Sequence, residues 1–475
     1  LDWQGGSVTG KVTSNGNAAA SGANAKTIGT TGELTLAGAT TNTWAGGAVT
    51  NQGKLNHNAG TTDIQAAFTN SGRVTVNAGQ LTLSGGGASS GELDVTGTNS
   101  EIAITHGFSL ASGAKVNGKI RLTGGILNAL GTLDVNGLLL EGGSVTGSQT
   151  FQGLLSWLGG DFNNLDVTTL AGGTTFNITS GSDHAFDGHS FINHGTVNWT
   201  GGRLRGASNA SFLNASDGVF NDNASSALTD DGGGAKGFTN LGRYNKLTTG
   251  TTTISIPFEN DSGTLYVSAG TLRFSRSFTQ KSGTLNLTNV TNGSVLQFDQ
   301  GLTIASGGTL AGTGTVVGSV TAAGTIAPGN SPGLITVTGT LTLQSTSVLL
   351  FELGGTTPGT GYDFLSISGD ASLGAANLTL AFTNNFQSSV TSLNTFTVLT
   401  AATLTGAFAN VANGTRLLTT DGFGSFQVNY GAGSLFAANS VVLSNFAAVP
   451  EPSACALLVV GLGVVALAVR RRAPR

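Results

Sequence analysis

Apolar and polar residues alternate along most of this chain in short bursts, and a glycine opens each burst. Gly32-Glu33-Leu34-Thr35-Leu36, Gly72-Arg73-Val74-Thr75-Val76, Gly195-Thr196-Val197-Asn198-Trp199 and Gly283-Thr284-Leu285-Asn286-Leu287 all follow this form. A period of two marks a strand with one buried face. Several bursts share a lead-in of Phe, Asn and Gly, as in Phe68-Thr69-Asn70-Ser71-Gly72 and Phe191-Ile192-Asn193-His194-Gly195. Glycines 32, 53, 72 and 91 lie 21, 19 and 19 residues apart, and glycines 242, 263 and 283 lie 21 and 20 apart. About twenty residues is one coil of a parallel β-helix, in which each turn of chain pairs with the next. The pattern therefore predicts an all-β, right-handed parallel β-helix with inward ladders of Leu, Val, Ile and Phe. Gly and Asn are expected at its corners, where tight turns need positive φ. An antiparallel sandwich or barrel is the weaker reading, because Asn-Gly hairpin dipeptides are rare at the strand junctions.

A wider repeat overlies the first. All four tryptophans stand in Trp-x-Gly-Gly, as the pairs Trp3 with Trp44 and Trp157 with Trp199, whose internal spacings are nearly equal and close to double the glycine period. The spacing suggests two coils per unit. Turned inward, the indoles would stack and shield the double-glycine turn. Turned outward, they would be glycan-stacking residues, since indole faces pack on sugar rings as readily as on side chains.

Composition narrows the field. Glycine accounts for 75 of 475 residues and only 9% are charged, which argues against a helical bundle, while 39% hydrophobic content is enough for a long core. Arg470, Arg471, Arg472 and Arg475 are four of the 20 basic residues. The rest of the chain thus sets 16 against 24 acids, a net of −8 where the whole chain carries −4. Such a body has no electrostatic footprint for nucleic acid. One cysteine, Cys455, excludes a disulfide framework.

The texture changes near Thr309. Ala327-Pro328-Gly329-Asn330-Ser331-Pro332-Gly333, with Tyr362-Asp363-Phe364-Leu365 downstream, resembles the C-terminal passenger region of autotransporter-like adhesins carrying β-strand repeats. That resemblance implies a β-rich cap closing the solenoid over 309–446, after repeats over 1–308. No membrane β-barrel pattern follows, so autotransporter secretion itself is not expected.

The tail, 447–475, holds Val449-Pro450-Glu451-Pro452, an apolar run from Ala454 to Val469, and Arg470, Arg471 and Arg472. Sixteen residues of helix reach about 24 Å, a little short of the ~30 Å hydrocarbon core, and the arginines would stay in the cytoplasm. In order and spacing this tail resembles the PEP-CTERM sorting signal of bacteria. The resemblance implies a transient transmembrane helix at 454–469, recognition by an exosortase-type membrane protease, and release to the cell surface or extracellular matrix. An export signal upstream of Leu1 is expected with it.

Parallel β-helices also carry polysaccharide lyases and hydrolases, whose acids converge from neighbouring coils. The candidates here are Asp161 with Asp183 and Asp166 with Asp187, 22 and 21 residues apart, joined by His184 and His189. Coil-length spacing would bring two carboxylates about 5 Å apart, suited to acid–base work. No paired Arg or Lys stands out beside them. No metal loop, phosphate loop, dinucleotide fingerprint or nucleophile elbow is present, so neither cofactor nor metal is expected. The leading expectation is a non-enzymatic, exported surface protein with a structural or adhesive role in an exopolysaccharide matrix or biofilm. Its partners would be extracellular polysaccharide or neighbouring surface proteins. The alternative is a polysaccharide-degrading enzyme using the Asp161 to His189 cluster.

Overall fold

A computed structural model describes residues 1–288, 293–329 and 331–449. The chain forms an all-β parallel solenoid of about 21 residues per coil, followed by a β-rich C-terminal region. It divides into two compact units, one of residues 1–285 with 291–300, the other of residues 286–290 with 301–475.

In the first unit each coil contributes one strand to each of three parallel ladders. Glu101–Ile104, Gln80–Leu83 and Thr61–Ile64 belong to the first ladder, Phe108–Leu110, Gly87–Ser89 and Phe68–Asn70 to the second, and Glu92–Val95 and Arg73–Val76 to the third. Strands of four residues alternate buried and half-buried, so a register slip of one residue would expel the whole interior. The third ladder is re-seated in the middle of the unit. Gly131–Leu140 and Gln149–Trp157 are long strands that pair along most of their length, and they hand the ladder over to Val167–Leu170 and Ser190–Asn193. As a result Phe68–Asn70 ends a second-ladder strand, whereas the matching Phe191–Asn193 ends a third-ladder strand. The same phrase serves two different corners.

The corners bear out positive φ for some glycines, such as Gly283 at +77°, but not for others, and they correct the expected role of asparagine. Gly72 does not adopt positive φ; a Cβ there would sit 2.2 Å from the carbonyl oxygen of Gly53 in the coil below, so the requirement is clearance between stacked coils. Gly46, the first glycine of a Trp-x-Gly-Gly, has φ +88° and also faces a carbonyl at 2.2 Å, and meets both demands. The asparagines of the Phe-x-Asn lead-in are not turn residues. Asn51, Asn70, Asn193, Asn214, Asn240 and Asn260 are fully buried and form side-chain ladders. Asn193 donates to Asn214 (2.8 Å), Asn214 to Asn240 (2.8 Å), Asn240 to Asn260 (2.7 Å) and Asn260 to Gln280 (2.9 Å). Each also donates to a backbone carbonyl across the corner, such as Asn214 to that of Arg243 at 3.1 Å. Amide side chains thus satisfy corner carbonyls that the ladders leave over.

The second unit has its own three parallel ladders, for example Leu341–Leu343 on Val320–Ala322 and Val348–Leu353 on Thr325–Pro328. Buried Asp363 accepts the N–H groups of Gly333 and Glu352, both at 2.7 Å, and so pins the loop that ends at Pro332-Gly333. The last parallel pairing is Leu404–Thr405 on Ala371–Ser372, and it follows directly on the mixed strand Phe396–Thr400. That strand pairs antiparallel with Ser440–Ala448, which pairs with Gly424–Tyr430, itself paired with Arg416–Leu418. The free edge of Asn377–Phe382 is occupied by the chain that follows. The Asn410 side chain bonds both the N–H and C=O of Leu378, and Thr420 donates to the carbonyl of Leu380. Covering an edge in this way removes a site of strand addition.

Candidate functional site

The indoles are interior. Trp44, Trp157 and Trp199 are at most 1% exposed and Trp3 is 7% exposed, which leaves no ring face for a sugar and removes them as glycan-stacking residues. In register Trp3 lies over Ala20 and Ala20 over Trp44, so an alanine in the intervening coil gives the two rings room to meet edge to face at 5.9 Å. Their N–H groups serve the fold. Trp44 donates to the carbonyl of Ala18 at 2.7 Å, and Trp199 to those of Gly201 and Gly202 at 3.1 and 3.0 Å. Trp157 and Trp199 are likewise separated by one intervening strand, in which Ile178 is the register partner of both. The tryptophan repeat is therefore a packing period of two coils.

The acid and histidine cluster divides between the inside and the outside of the second ladder. His184 is buried against Trp157, with ring centroids 4.8 Å apart, and burial pushes it down to about 4. His189 is buried between Phe162 and Phe191. Its Nδ1 meets the Asn164 Oδ1 and its Nε2 the Thr168 hydroxyl, both at 2.8 Å, so the neutral ring donates from Nδ1; burial pushes it down to about 4 as well. Both imidazoles are fully buried while Asp183 is exposed and Asp187 half-buried, so neither ring lines an open groove with them.

Nor do the carboxylates pair as their spacing suggested. The chain from Asn163 to Asp166 lengthens this coil, so Asp161 bridges to Ala185 rather than to Asp183, and Val167 lies opposite Ser190, beyond Asp187. Asp166 accepts the Gly147 N–H at 2.8 Å and its own carbonyl accepts from Ser190, which places it away from Asp187. Asp183 meets arginine instead. Its carboxylate takes Arg203 at 2.6 Å, and Asp231 takes Arg205 at 2.8 Å and Arg203 at 3.2 Å. The hydrogen bond from Arg203 holds Asp183 below the usual carboxylate range. Burial raises Asp187, and Asp231, Asp161 and Asp230 nearby act in the same direction against Arg205. Arg203 and Arg205 escaped the sequence reading, although Arg203 lies one coil after Asp183. The quartet Asp183, Arg203, Arg205 and Asp231 is charge-balanced and half-exposed. Among the described residues no group of three or more His, Cys, Asp or Glu could hold a metal ion.

More regular are the outward rows. On the second ladder Ser7, Thr27, Thr50, Thr69, Ala88, Ser109 and Asn128 are successive register partners. Small, mostly hydroxylated side chains thus recur once per coil, about 4.8 Å apart. On the first ladder Asn177, Asn198, Asn221 and Asn245 form an outer amide ladder with bonds of 3.0, 2.9 and 2.8 Å.

The last described residues bear on the tail. The strand Ser440–Ala448 stays paired to its end, and the Val449 N–H donates to the Phe423 carbonyl at 2.9 Å. Residues 448–472 match the PEP-CTERM protein-sorting motif. The motif implies export and processing by an exosortase at the membrane. Its first two residues, Ala448 and Val449, are thus still engaged by the folded sheet. Pro450, Glu451, Pro452, Arg470, Arg471, Arg472 and the apolar run 454–469 lie outside the described residues. Among the described residues no helix is long and apolar enough to cross a membrane. No curated protein matches the chain.

Proposed function

We propose that this is a non-catalytic component of an extracellular polysaccharide matrix or biofilm, delivered by an exosortase-type protease after transient anchoring through 454–469. The observation that supports it is the row running from Ser7 to Asn128, which offers one small polar group per coil on a regular lattice. Single hydrogen bonds to a glycan in water are weak, but many on one face act together, because each contact after the first is intramolecular. On this reading the coil winds right-handed, and 309–446 serves as an adhesin-like surface module. The quartet around Arg203 is a surface ion network, since both arginines are already occupied by carboxylates.

The test is retention of the exported protein on polysaccharide purified from its producing cells, with analysis of products. Retention that falls when Thr27, Thr50 and Thr69 are changed together to Val, with no shortening of the polymer, is the expected result. Depolymerisation that disappears in an Asp183→Ala, Asp187→Ala double variant would establish an enzyme instead.

A further inference from the structure

The end of the antiparallel sheet from which the sorting tail leaves is apolar. Leu418 is 62% exposed, Phe423 45% and Val449 46%. They belong together, because Leu418 pairs with Ser425, Gly424 pairs with Ala448, and the Val449 N–H binds the Phe423 carbonyl. We propose that this tip beds into the lipid interface on the outer side of the membrane before the tail is removed. The inference rests on the reading that 454–469 inserts in a bilayer.

Length makes the contact hard to avoid. The exit strand is held almost to its last residue. Phe446 is buried against Phe426 and Phe382, with centroids at 5.0 and 5.6 Å, and Arg416 donates to the Asn445 carbonyl at 2.8 Å. Five peptide links separate Val449 from Ala454, and they span at most about 18 Å. The headgroup layer on one side of a bilayer takes up roughly 5–8 Å of that. An apolar run of about 24 Å in a core of ~30 Å draws its first residue to the hydrocarbon edge, which uses up more of the slack.

The chemistry of the tip fits an interface. Leu and Phe side chains partition into the boundary between headgroups and acyl chains. The one acid in the turn, Asp421, is engaged by donors from the protein: the N–H of Phe382 at 2.6 Å, the Thr419 hydroxyl at 2.6 Å and the N–H of Phe423 at 3.2 Å. Arg416 on the same hairpin adds positive charge, favourable beside anionic lipid. A second exposed leucine gives the control. Leu435, 82% exposed, lies in the loop joining Gly424–Tyr430 to Ser440–Ala448, at the opposite end of the same strand pair.

The experiment uses the full chain with Cys455→Ser, so that a single cysteine introduced as Phe423→Cys or Leu435→Cys carries a fluorescent probe. The protein is reconstituted into phosphatidylethanolamine–phosphatidylglycerol vesicles and floated on a density gradient. Aqueous iodide is expected to quench the probe at 423 about three times less than the probe at 435, and the two equally once detergent removes the lipid. Equal quenching in floated protein overturns this inference alone. Protein that does not float overturns the insertion reading, and this inference falls with it.

Discussion

Within the first unit, the coils around residues 55–104 and those around residues 176–274 share one backbone plan and are filled in opposite ways. The former bury Leu55, Ile64, Val74, Leu81, Leu93 and Ile102; the latter bury Phe176, Phe191, Phe212, Phe220, Phe238 and Phe258. Aliphatic side chains conform to whatever spacing the strands impose, and the register partners there, Thr61 with Gln80, Arg73 with Glu92 and Gln80 with Glu101, recur at a nearly constant interval. Rings impose their own geometry. Phe212, Phe238 and Phe258 stack nearly parallel with centroids 4.9 Å apart, about the strand-to-strand distance. Where rings fill the interior the coils vary more: the step from Asn214 to Asn240 is longer than that from Asn240 to Asn260, although both pairs are joined by the same amide bond. Polar groups then occupy what the rings leave, including His184, His189, Asp222 and Lys246, all fully buried. A regular backbone therefore does not require a uniform core, and the aromatic coils hold more buried titratable groups than the aliphatic ones, which bury His57 and Asp94.

The sharpest test is to remove one ring and one aliphatic side chain at equivalent depth. Phe238→Ala strips a ring that touches Phe212, Phe220, Tyr244 and Phe258, and should cost about 4–5 kcal/mol; Leu81→Ala should cost about 3 kcal/mol. Denaturant unfolding, with hydrogen exchange to localise the loss, measures both. Equal costs would mean that the aromatic stack is only bulk filling. One step smaller is the amide ladder that both regions use. Asn214→Ala removes bonds to Asn240 and the Arg243 carbonyl and leaves Asn193 Nδ2 without its side-chain acceptor, a loss of about 3 kcal/mol, while Ser89→Ala at the end of the shorter ladder should cost about 1 kcal/mol. If the end position costs as much as the middle, the ladders are not acting through unsatisfied amides.

Acid should separate the two regions next. His184 and His189 stand at about 4 in the fold against an ordinary 6.5, so their neutral forms contribute stability that is complete above pH 6.5 and lost as pH falls toward 4. Each shift corresponds to a ceiling of about 3 kcal/mol. Asp222 has the opposite sign. Burial raises it to about 6, so its contribution is complete below pH 3.8 and lost as pH rises through 6. Two histidines outweigh one aspartate, and exchange between residues 176 and 222 should accelerate from pH 7 to pH 5 more than between 55 and 104, where His57 is the one buried imidazole and burial lowers it too. His184→Leu with His189→Gln should remove most of the difference. An undiminished acid response in that variant would put its origin elsewhere.

These two interiors also divide what the sequence could reveal. Periodicity exposed the strands and the coil length, because alternating burial is written directly in residues such as Leu34-Thr35-Leu36. Corner chemistry was less legible. Asn70 and Asn193 resemble turn residues in composition, and only the stack shows that their amides point inward to bond the next coil. Trp44 and Trp199 carry no sign in sequence of which way their rings face; Ala20, which makes room for an indole, lies a full coil before Trp44. The candidate site failed for a local reason. The additional residues between Asp161 and Val167 shift the register, enough to separate carboxylates that a constant period would have placed together.

The smallest expected effect falls on the exposed ion network of the aromatic side. Arg205→Gln removes the guanidinium bound to Asp231 at 2.8 Å on an exposed, charge-balanced surface. Exposed ion pairs contribute little because water and salt screen them and two long side chains must be held in place. The unfolding midpoint should stay within error, and polysaccharide retention should be unchanged, because the hydroxyl row from Ser7 to Asn128 lies on the aliphatic coils, whose own ion network joins Glu101 and Glu141 to Lys119 and Arg121. A tenfold loss of retention in Arg205→Gln, with folding intact, would move recognition from the repeated face of one region to the charged cluster of the other. The two sets of coils would then differ in function as well as in filling.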